Sequence, residues 1–230
     1  MRATDFEFRQ RFWLITAVFI AGFACSFVDR RNAAETAARV LGGDTRRGMQ
    51  IVFGVGALVA ATAAWLRTWA SAYLRSTVVK DGALHTDRLV ADGPYRHLRN
   101  PLYLGTLLLA VSFGLMASPT GFVVLAGGMV WFLSRLIGRE EAELAHAQGD
   151  RYRAYREAVP GLWPALRPRL PASGARPEWR QAVIGELAMW AFAIGVTLFA
   201  LTLDQRIVYA FLVLGFIGYL PGRIAGRRAA

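Results

Sequence analysis

Gly93-Pro94-Tyr95-Arg96-His97-Leu98-Arg99-Asn100-Pro101-Leu102-Tyr103-Leu104-Gly105 runs from a basic, turn-forming segment straight into an apolar helix. Arg96, His97 and Arg99 supply positive charge and imidazole nitrogens, and Asn100-Pro101 favours a chain reversal that starts the helix with proline in its first turn. Polar chemistry is thereby set at the edge of an apolar layer, where an anionic group can dock. About 35 residues later, at the far end of a helical hairpin, Arg139-Glu140-Glu141-Ala142-Glu143-Leu144 offers acids that can accept hydrogen bonds from a ribose or an ammonium group. Two segments of opposite charge bracket one apolar hairpin.

The surrounding chain explains the apolar layer. Its 230 residues are 55% hydrophobic and 12% aromatic, with several long uncharged runs, unlike an ordinary soluble domain. Residues 12–28, 50–66, 102–117, 119–134, 182–203 and 207–221 are each long enough, or nearly so, to cross about 30 Å of hydrocarbon. The expected fold is an all-α integral membrane protein with about six transmembrane helices, a tight hairpin at Ser118-Pro119 and a cytoplasmic cofactor-binding region. The first run follows Arg9 and Arg11 and ends near the small residues Ala24 and Ser26, as a signal peptide would, but the rest of the chain is itself polytopic and the run reads as a retained span. Residues 33–41 read as a short interfacial helix stopped by Gly42-Gly43, and residues 168–177, with Gly, Ser and three prolines, as a flexible linker. The chain then divides into N-terminal membrane helices with an interfacial segment (1–75), a core with the cofactor motifs and the hairpin (76–167), a linker (168–180) and a C-terminal helix pair (181–230).

A net charge of +11, from 27 basic and 16 acidic residues, raises nucleic acid as a partner, but the arginines lie between and beyond the apolar runs, where lipid headgroups meet them. No aromatic-studded basic module accompanies them, so no nucleic acid is expected. With a cytoplasmic N-terminus, 21 of the 27 basic residues fall on the cytoplasmic side. The misfit is 29–47, whose Arg30, Arg31, Arg39, Arg46 and Arg47 fall outside. Three histidines and one cysteine give no metal-ligand spacing, no metal is expected, and the lone Cys25 has no disulfide partner in the chain.

The segment Gly93 to Gly105, then Glu140-Glu141, then Gly149-Asp150-Arg151-Tyr152-Arg153-Ala154-Tyr155, then Val159-Pro160, resembles the isoprenylcysteine carboxyl methyltransferase and phospholipid N-methyltransferase superfamily. The likeness covers roughly residues 85–164. That superfamily's pattern reads Gly-x-Tyr, Arg-His-Pro-x-Tyr-x-Gly and Glu-Glu, and here Asn100 replaces the usual His. A His-x-Leu-Val element often precedes it; this chain has His85-Thr86-Asp87-Arg88-Leu89-Val90, two residues longer.

The resemblance implies an integral membrane enzyme that transfers methyl groups from S-adenosylmethionine to a membrane lipid or other hydrophobic acceptor, such as a prenylcysteine carboxylate, a phospholipid amine or a small thiol. It implies a donor pocket with Gly93, Tyr95, Arg99, Asn100, Pro101, Tyr103 and Gly105 on one wall, Glu140 and Glu141 on the other, and His85, Leu89 and Val90 as further cofactor contacts. Arg99 and Glu141 are the expected catalytic pair, and Arg135 or Arg139 would serve a carboxylate acceptor. His97, His146 and Arg96 read as surface or interfacial residues, and Tyr152, Tyr155 and Trp163 as interfacial anchors. The expected location is a bacterial inner membrane with the donor site facing the cytoplasm, and the sequence leaves the oligomeric state open. Two alternatives remain at this stage: an NADPH-dependent sterol-type reductase, which carries a similar Arg-His-Pro-x-Tyr-x-Gly ending, and a non-catalytic lipid-binding scaffold.

Overall fold

The computed structural model describes residues 2–79, 91–207, 210, 211 and 214. Helices and turns alone occur among them, as an all-α fold requires. A capping box starts α1 (Asp5–Arg9): Thr4 Oγ1 accepts from Glu7 N, and Glu7 Oε2 accepts from Thr4 N. The apolar α2 (Arg11–Ala24) follows and tightens into a 3₁₀ turn, Cys25–Phe27. Asn32 caps α3 (Ala33–Leu41), which stops at Gly42 with φ 77°, a conformation that glycine adopts without strain. Its first amides donate to Ala117 O and Leu115 O, so α3 closes one end of the bundle.

The long α4 (Thr45–Val79) is the central mast, packed against α3, α5 (Pro101–Gly114), α8 (Trp179–Gly185) and α9 (Leu187–Thr202). Its buried face is a run of small residues, Ala57, Ala60, Ala63, Ala64 and Ala70, which lets neighbouring helices approach closely. Ser118 caps α6 (Pro119–Gln148) by accepting from Gly121 N, with Pro119 at the first helical position, where a missing N–H costs nothing. The tight α5–α6 hairpin is therefore present. The second arm, however, is one helix of 30 residues, so Glu140 and Glu141 ride on α6 itself. Across α6 lies α2, in backbone contact at Gly22 and Gly121; a Cβ on Gly121 would overlap the Gly22 carbonyl oxygen. The short α7 (Asp150–Ala158) turns back beneath the motif loop.

Among the described residues, the helices do not by themselves account for six spans. Thr45–Leu74 and Pro119–Gln148 are long and apolar enough to cross a membrane, and α8 with α9, bent by 61°, makes a third if the pair is one span. The helices Arg11–Phe27 and Pro101–Gly114 are apolar but shorter. At 1.5 Å per residue the 14 residues of α5 reach only about 21 Å. Of the sixth run, 207–221, most residues lie outside those described. Large apolar side chains on the outer helix faces, including Trp13, Ile20, Leu58, Val123, Trp131 and Leu201, are more than half exposed, as in a protein whose solvent is lipid.

Candidate functional site

The motif loop sits where α4, α6 and α7 meet. Gly93–Arg96 form one 3₁₀ turn with Gly93 at φ 57°. Beyond it, Arg99 N donates to Pro160 O at 2.9 Å and Asn100 N to Gly161 O at 3.1 Å, which lays Val159-Pro160-Gly161 alongside Arg99-Asn100. Further ties hold the returning chain: Ala165 N to His97 O, Arg169 N to Arg96 O, and Arg96 Nε to Leu170 O at 2.7 Å. The stretch read as a linker is thus strapped to the motif loop. Asp92 completes the strap by accepting from Ser173 N, Ser173 Oγ and Ala175 N.

Pro101 opens α5, and the residue before a proline is pushed out of the helical region; Asn100 accordingly has φ −122° and ψ 55°. Its side chain does not cap α5. Asn100 Nδ2 instead donates to Glu141 Oε1 at 3.1 Å and Gly161 O at 3.2 Å. Arg99 converges on the same carboxylate, with Nε and Nη2 each 2.9 Å from Glu141 Oε1. Arg99 Nη1 donates to Arg156 O at 2.8 Å and also to Val159 O. Both charged side chains are nearly enclosed, at 12% and 13% exposure, where a charge-assisted bond is shielded from water. One helix position away, Glu140 Oε1 accepts from Tyr103 Oη at 2.6 Å. The two motif segments, 37 and 41 residues apart at the Tyr103 and Asn100 bonds, are therefore joined through both acids.

Burial keeps the tyrosines around this junction neutral. Burial pushes the Tyr152 phenol up to about 12 and raises Tyr95 and Tyr155 as well. Tyr155 Oη donates to Tyr95 O at 2.8 Å, so these side chains support the loop and do not anchor it in lipid. His97 Nδ1 is 2.8 Å from Ala165 O, a contact that holds the returning chain.

Other expected residues go elsewhere. A Cβ on Gly105 would overlap the stem of Arg67, so the glycine makes room for α4 and not for a ligand. Arg135 pairs with Glu7 at 2.8 Å, and Arg139 with Asp5 at 2.6 Å and Glu143 at 2.7 Å; neither joins the Glu141 cluster. Arg135 holds the Glu7 carboxyl at about 2. Pro101 is buried at the start of α5. His85, Leu89 and Val90 lie outside the described residues.

With this geometry in view, the family model for phospholipid methyltransferases, PEMT, matches residues 51–151, from α4 through the motif loop to the start of α7. Residues 51–151 are thus similar to the phospholipid methyltransferase family. The chain is also similar to a curated protein, the protein-S-isoprenylcysteine O-methyltransferase of Schizosaccharomyces pombe, 34% identical over 79 residues. That match spans about a third of each protein, 34% of this chain and 34% of the relative. No solved structure matches the chain.

One polar cluster was missed in the sequence. Arg67 of α4 donates through Nε to Glu186 Oε2 at 2.8 Å and through Nη2 to Glu186 Oε1, while Nη1 reaches Leu102 O and Thr106 Oγ1 at the start of α5. Ser71 Oγ adds a 2.8 Å bond to Glu186 Oε1. Trp190 Nε1 donates to Thr68 Oγ1 nearby. The signal was available: a lone arginine at the end of one apolar run and a lone glutamate within another are costly unless they meet.

Proposed function

We propose that the chain is an S-adenosylmethionine-dependent membrane methyltransferase acting on a lipid-like acceptor. The observation that carries this reading is the convergence of Arg99 and Asn100 on Glu141, and of Tyr103 on Glu140, inside the segment that matches the methyltransferase family. The donor set suits the cofactor: carboxylates accept from a ribose or an ammonium group, guanidiniums meet a carboxylate, and aromatic rings border a sulfonium. When bound, S-adenosylmethionine supplies a methyl group on a positively charged sulfur. The protein's part is to hold that sulfur in line with the acceptor and to exclude water, which orientation alone can make fast. Arg99 acts through Glu141 and the 156–159 carbonyls, holding the acid in place, while Asn100 is a neutral hydrogen-bonding group that does not titrate.

The acceptor, on this reading, arrives from the lipid side along the apolar faces of α2, α5 and α6, and the cofactor from the cytoplasm. The arginine distribution supports that orientation, with 67–99 and 135–180 inside. Calorimetry on the purified protein with S-adenosylhomocysteine should detect binding. Incubation with S-adenosylmethionine and a lipid extract should yield S-adenosylhomocysteine and a lipid heavier by one methylene. Binding of NADPH in place of either adenosyl compound would favour the reductase, and lipid binding without turnover the scaffold. An impermeant thiol reagent outside intact cells should fail to label a cysteine placed at Ser173 in a Cys25→Ser background.

A further inference from the structure

The methionyl end of the proposed cofactor carries a carboxylate and an ammonium group, and Arg99 is the obvious cation of the motif to meet the former. Its guanidinium is already committed: Nε and Nη2 face Glu141 Oε1, and Nη1 faces the carbonyls of Arg156 and Val159. A ligand carboxylate therefore needs another cation. Glu141, by contrast, is only half committed. Oε1 takes the bonds from Arg99 and Asn100, whereas Oε2 is turned toward Arg156 Nε at 3.9 Å, beyond hydrogen-bond reach.

Glu141 and Arg156, the residue that Oε2 is turned toward, both line a cleft of about 280 Å³, together with Arg2, Gly138, Ala142 and Ala145. Gly138, Ala142 and Ala145 lie on the same side of α6 as Glu141, since residues three and four apart on a helix are neighbours, and their small side chains leave its floor open. Whole small-molecule sites run to about 300–1,000 Å³, so the cleft suits one end of a cofactor and not all of it. Arg2 is brought there by the N-terminal clasp. Ala3 N donates to Arg135 O at 3.0 Å, Glu7 pairs with Arg135 and Asp5 with Arg139, all on α6.

We infer that this cleft receives the amino-acid end of the cofactor, its ammonium on Glu141 Oε2 and its carboxylate on Arg2 and Arg156. The α-amino and α-carboxylate groups of an amino acid share one carbon, so their partners must be close neighbours of opposite sign. Glu141 Oε2 and Arg156 Nε, 3.9 Å apart, meet that condition, and Arg2 supplies a second cation on the cleft wall. The inference rests on the proposed methyltransferase reading but assigns two residues outside the family motif to the donor site. It also gives the N-terminal clasp a purpose: Asp5 and Glu7 consume Arg135 and Arg139 in order to hold Arg2 beside Glu141.

The test compares S-adenosylhomocysteine with its decarboxylated analogue by calorimetry on the detergent-purified full chain. Arg2→Ala with Arg156→Ala should weaken S-adenosylhomocysteine by about tenfold, the scale of two partly exposed ion pairs, and leave the decarboxylated analogue within about twofold of its wild-type value. Arg156→Lys should recover part of the loss, since it keeps the charge, and a near-UV circular dichroism spectrum identical to wild type excludes misfolding as the cause. Equal weakening of both ligands, or of neither, overturns the inference. Unchanged S-adenosylhomocysteine affinity with weaker retention on phosphatidylethanolamine vesicles also overturns it, and gives the cleft to a lipid headgroup. Failure of the wild-type protein to bind S-adenosylhomocysteine at all defeats the methyltransferase reading itself, a distinct outcome.

Discussion

Arg67–Glu186 and Arg99–Glu141, two of the arginine–glutamate pairs among the described residues, are almost equally enclosed: 19% and 8% exposed for the first, 12% and 13% for the second. Burial does not separate them; the use of lone pairs does. Both oxygens of Glu186 are taken, Oε2 by Arg67 and Oε1 by Arg67 and Ser71, and the remaining Arg67 donors close on Leu102 and Thr106. Glu141 spends one oxygen on Arg99 and Asn100 and turns the other toward Arg156, with which it lines an open cleft. A buried ion pair whose members satisfy each other is framework. One with an acceptor left over beside a cavity can bind.

The contrast predicts opposite profiles for the two acids. Glu186→Ala leaves Arg67 uncompensated among apolar helices and should cost about 3 kcal/mol or more, read as a lower thermal unfolding midpoint in detergent. Replacing both partners, Arg67→Met with Glu186→Leu, should recover most of that stability, because the pair's attraction only offsets its desolvation. If Glu186→Ala unfolds at the wild-type temperature, the framework role is wrong. Glu141→Ala should instead weaken S-adenosylhomocysteine by roughly tenfold to a hundredfold, as expected on losing a charged hydrogen bond. Its unfolding midpoint should fall less than that of Glu186→Ala, because Arg99 retains the Arg156 and Val159 carbonyls.

Gly105 links the two regions, since it lies on the motif helix yet faces the Arg67 stem. Gly105→Ala should cost about 1–3 kcal/mol by overpacking. S-adenosylhomocysteine affinity should stay within about threefold, the mark of a packing glycine and not a ligand contact. A large affinity loss at unchanged stability would restore the ligand reading. Asn100 sharpens the comparison further: Asn100→Leu leaves partners on Glu141 and Gly161 unmatched and should weaken binding by about fivefold, whereas Asn100→His keeps a donor and should bind nearly as well.

Much of the motif junction was legible in the chain: consecutive acids on an apolar helix and an Asn-Pro start carry chemistry that packing alone does not demand, and the family resemblance marked the Tyr-x-x-Tyr with Val-Pro beyond them. Their pairing through Glu140 and Glu141 follows from the hairpin that those signals imply. The span count was less legible, because apolar length does not reveal where a helix bends or breaks, as at Glu186 between α8 and α9. The fate of Arg135 and Arg139 was hidden for another reason. Their partners, Glu7 and Asp5, lie about 130 residues away, and no local pattern encodes such a tertiary pairing. The same distance hid Arg2 from the Glu141 site.

The smallest expected effect is at Asp92, a buried carboxylate held by backbone amides and a serine hydroxyl where Glu186 and Glu141 use arginine. Burial by itself would raise its pKa, but the bonds from Ser173 and Ala175 and the nearby Arg96 charge outweigh it, leaving the value lowered. A carboxyl that binds its proton less readily when folded contributes stability that is fully present above its unfolded pKa of about 3.9 and is lost as pH falls through the lower folded value. The wild-type protein should therefore be modestly more stable than Asp92→Asn at neutral pH, with the gap closing as the solution is acidified below about pH 4. Thermal unfolding of both proteins between about pH 7 and pH 3 would show it. S-adenosylhomocysteine affinity at neutral pH should stay within about twofold in Asp92→Asn, since Asp92 is not among the residues that line the cleft. A gap that persists unchanged to the acid end would mean that the carboxylate is not what fastens the strap, and a lost affinity would move the strap from the framework into the site.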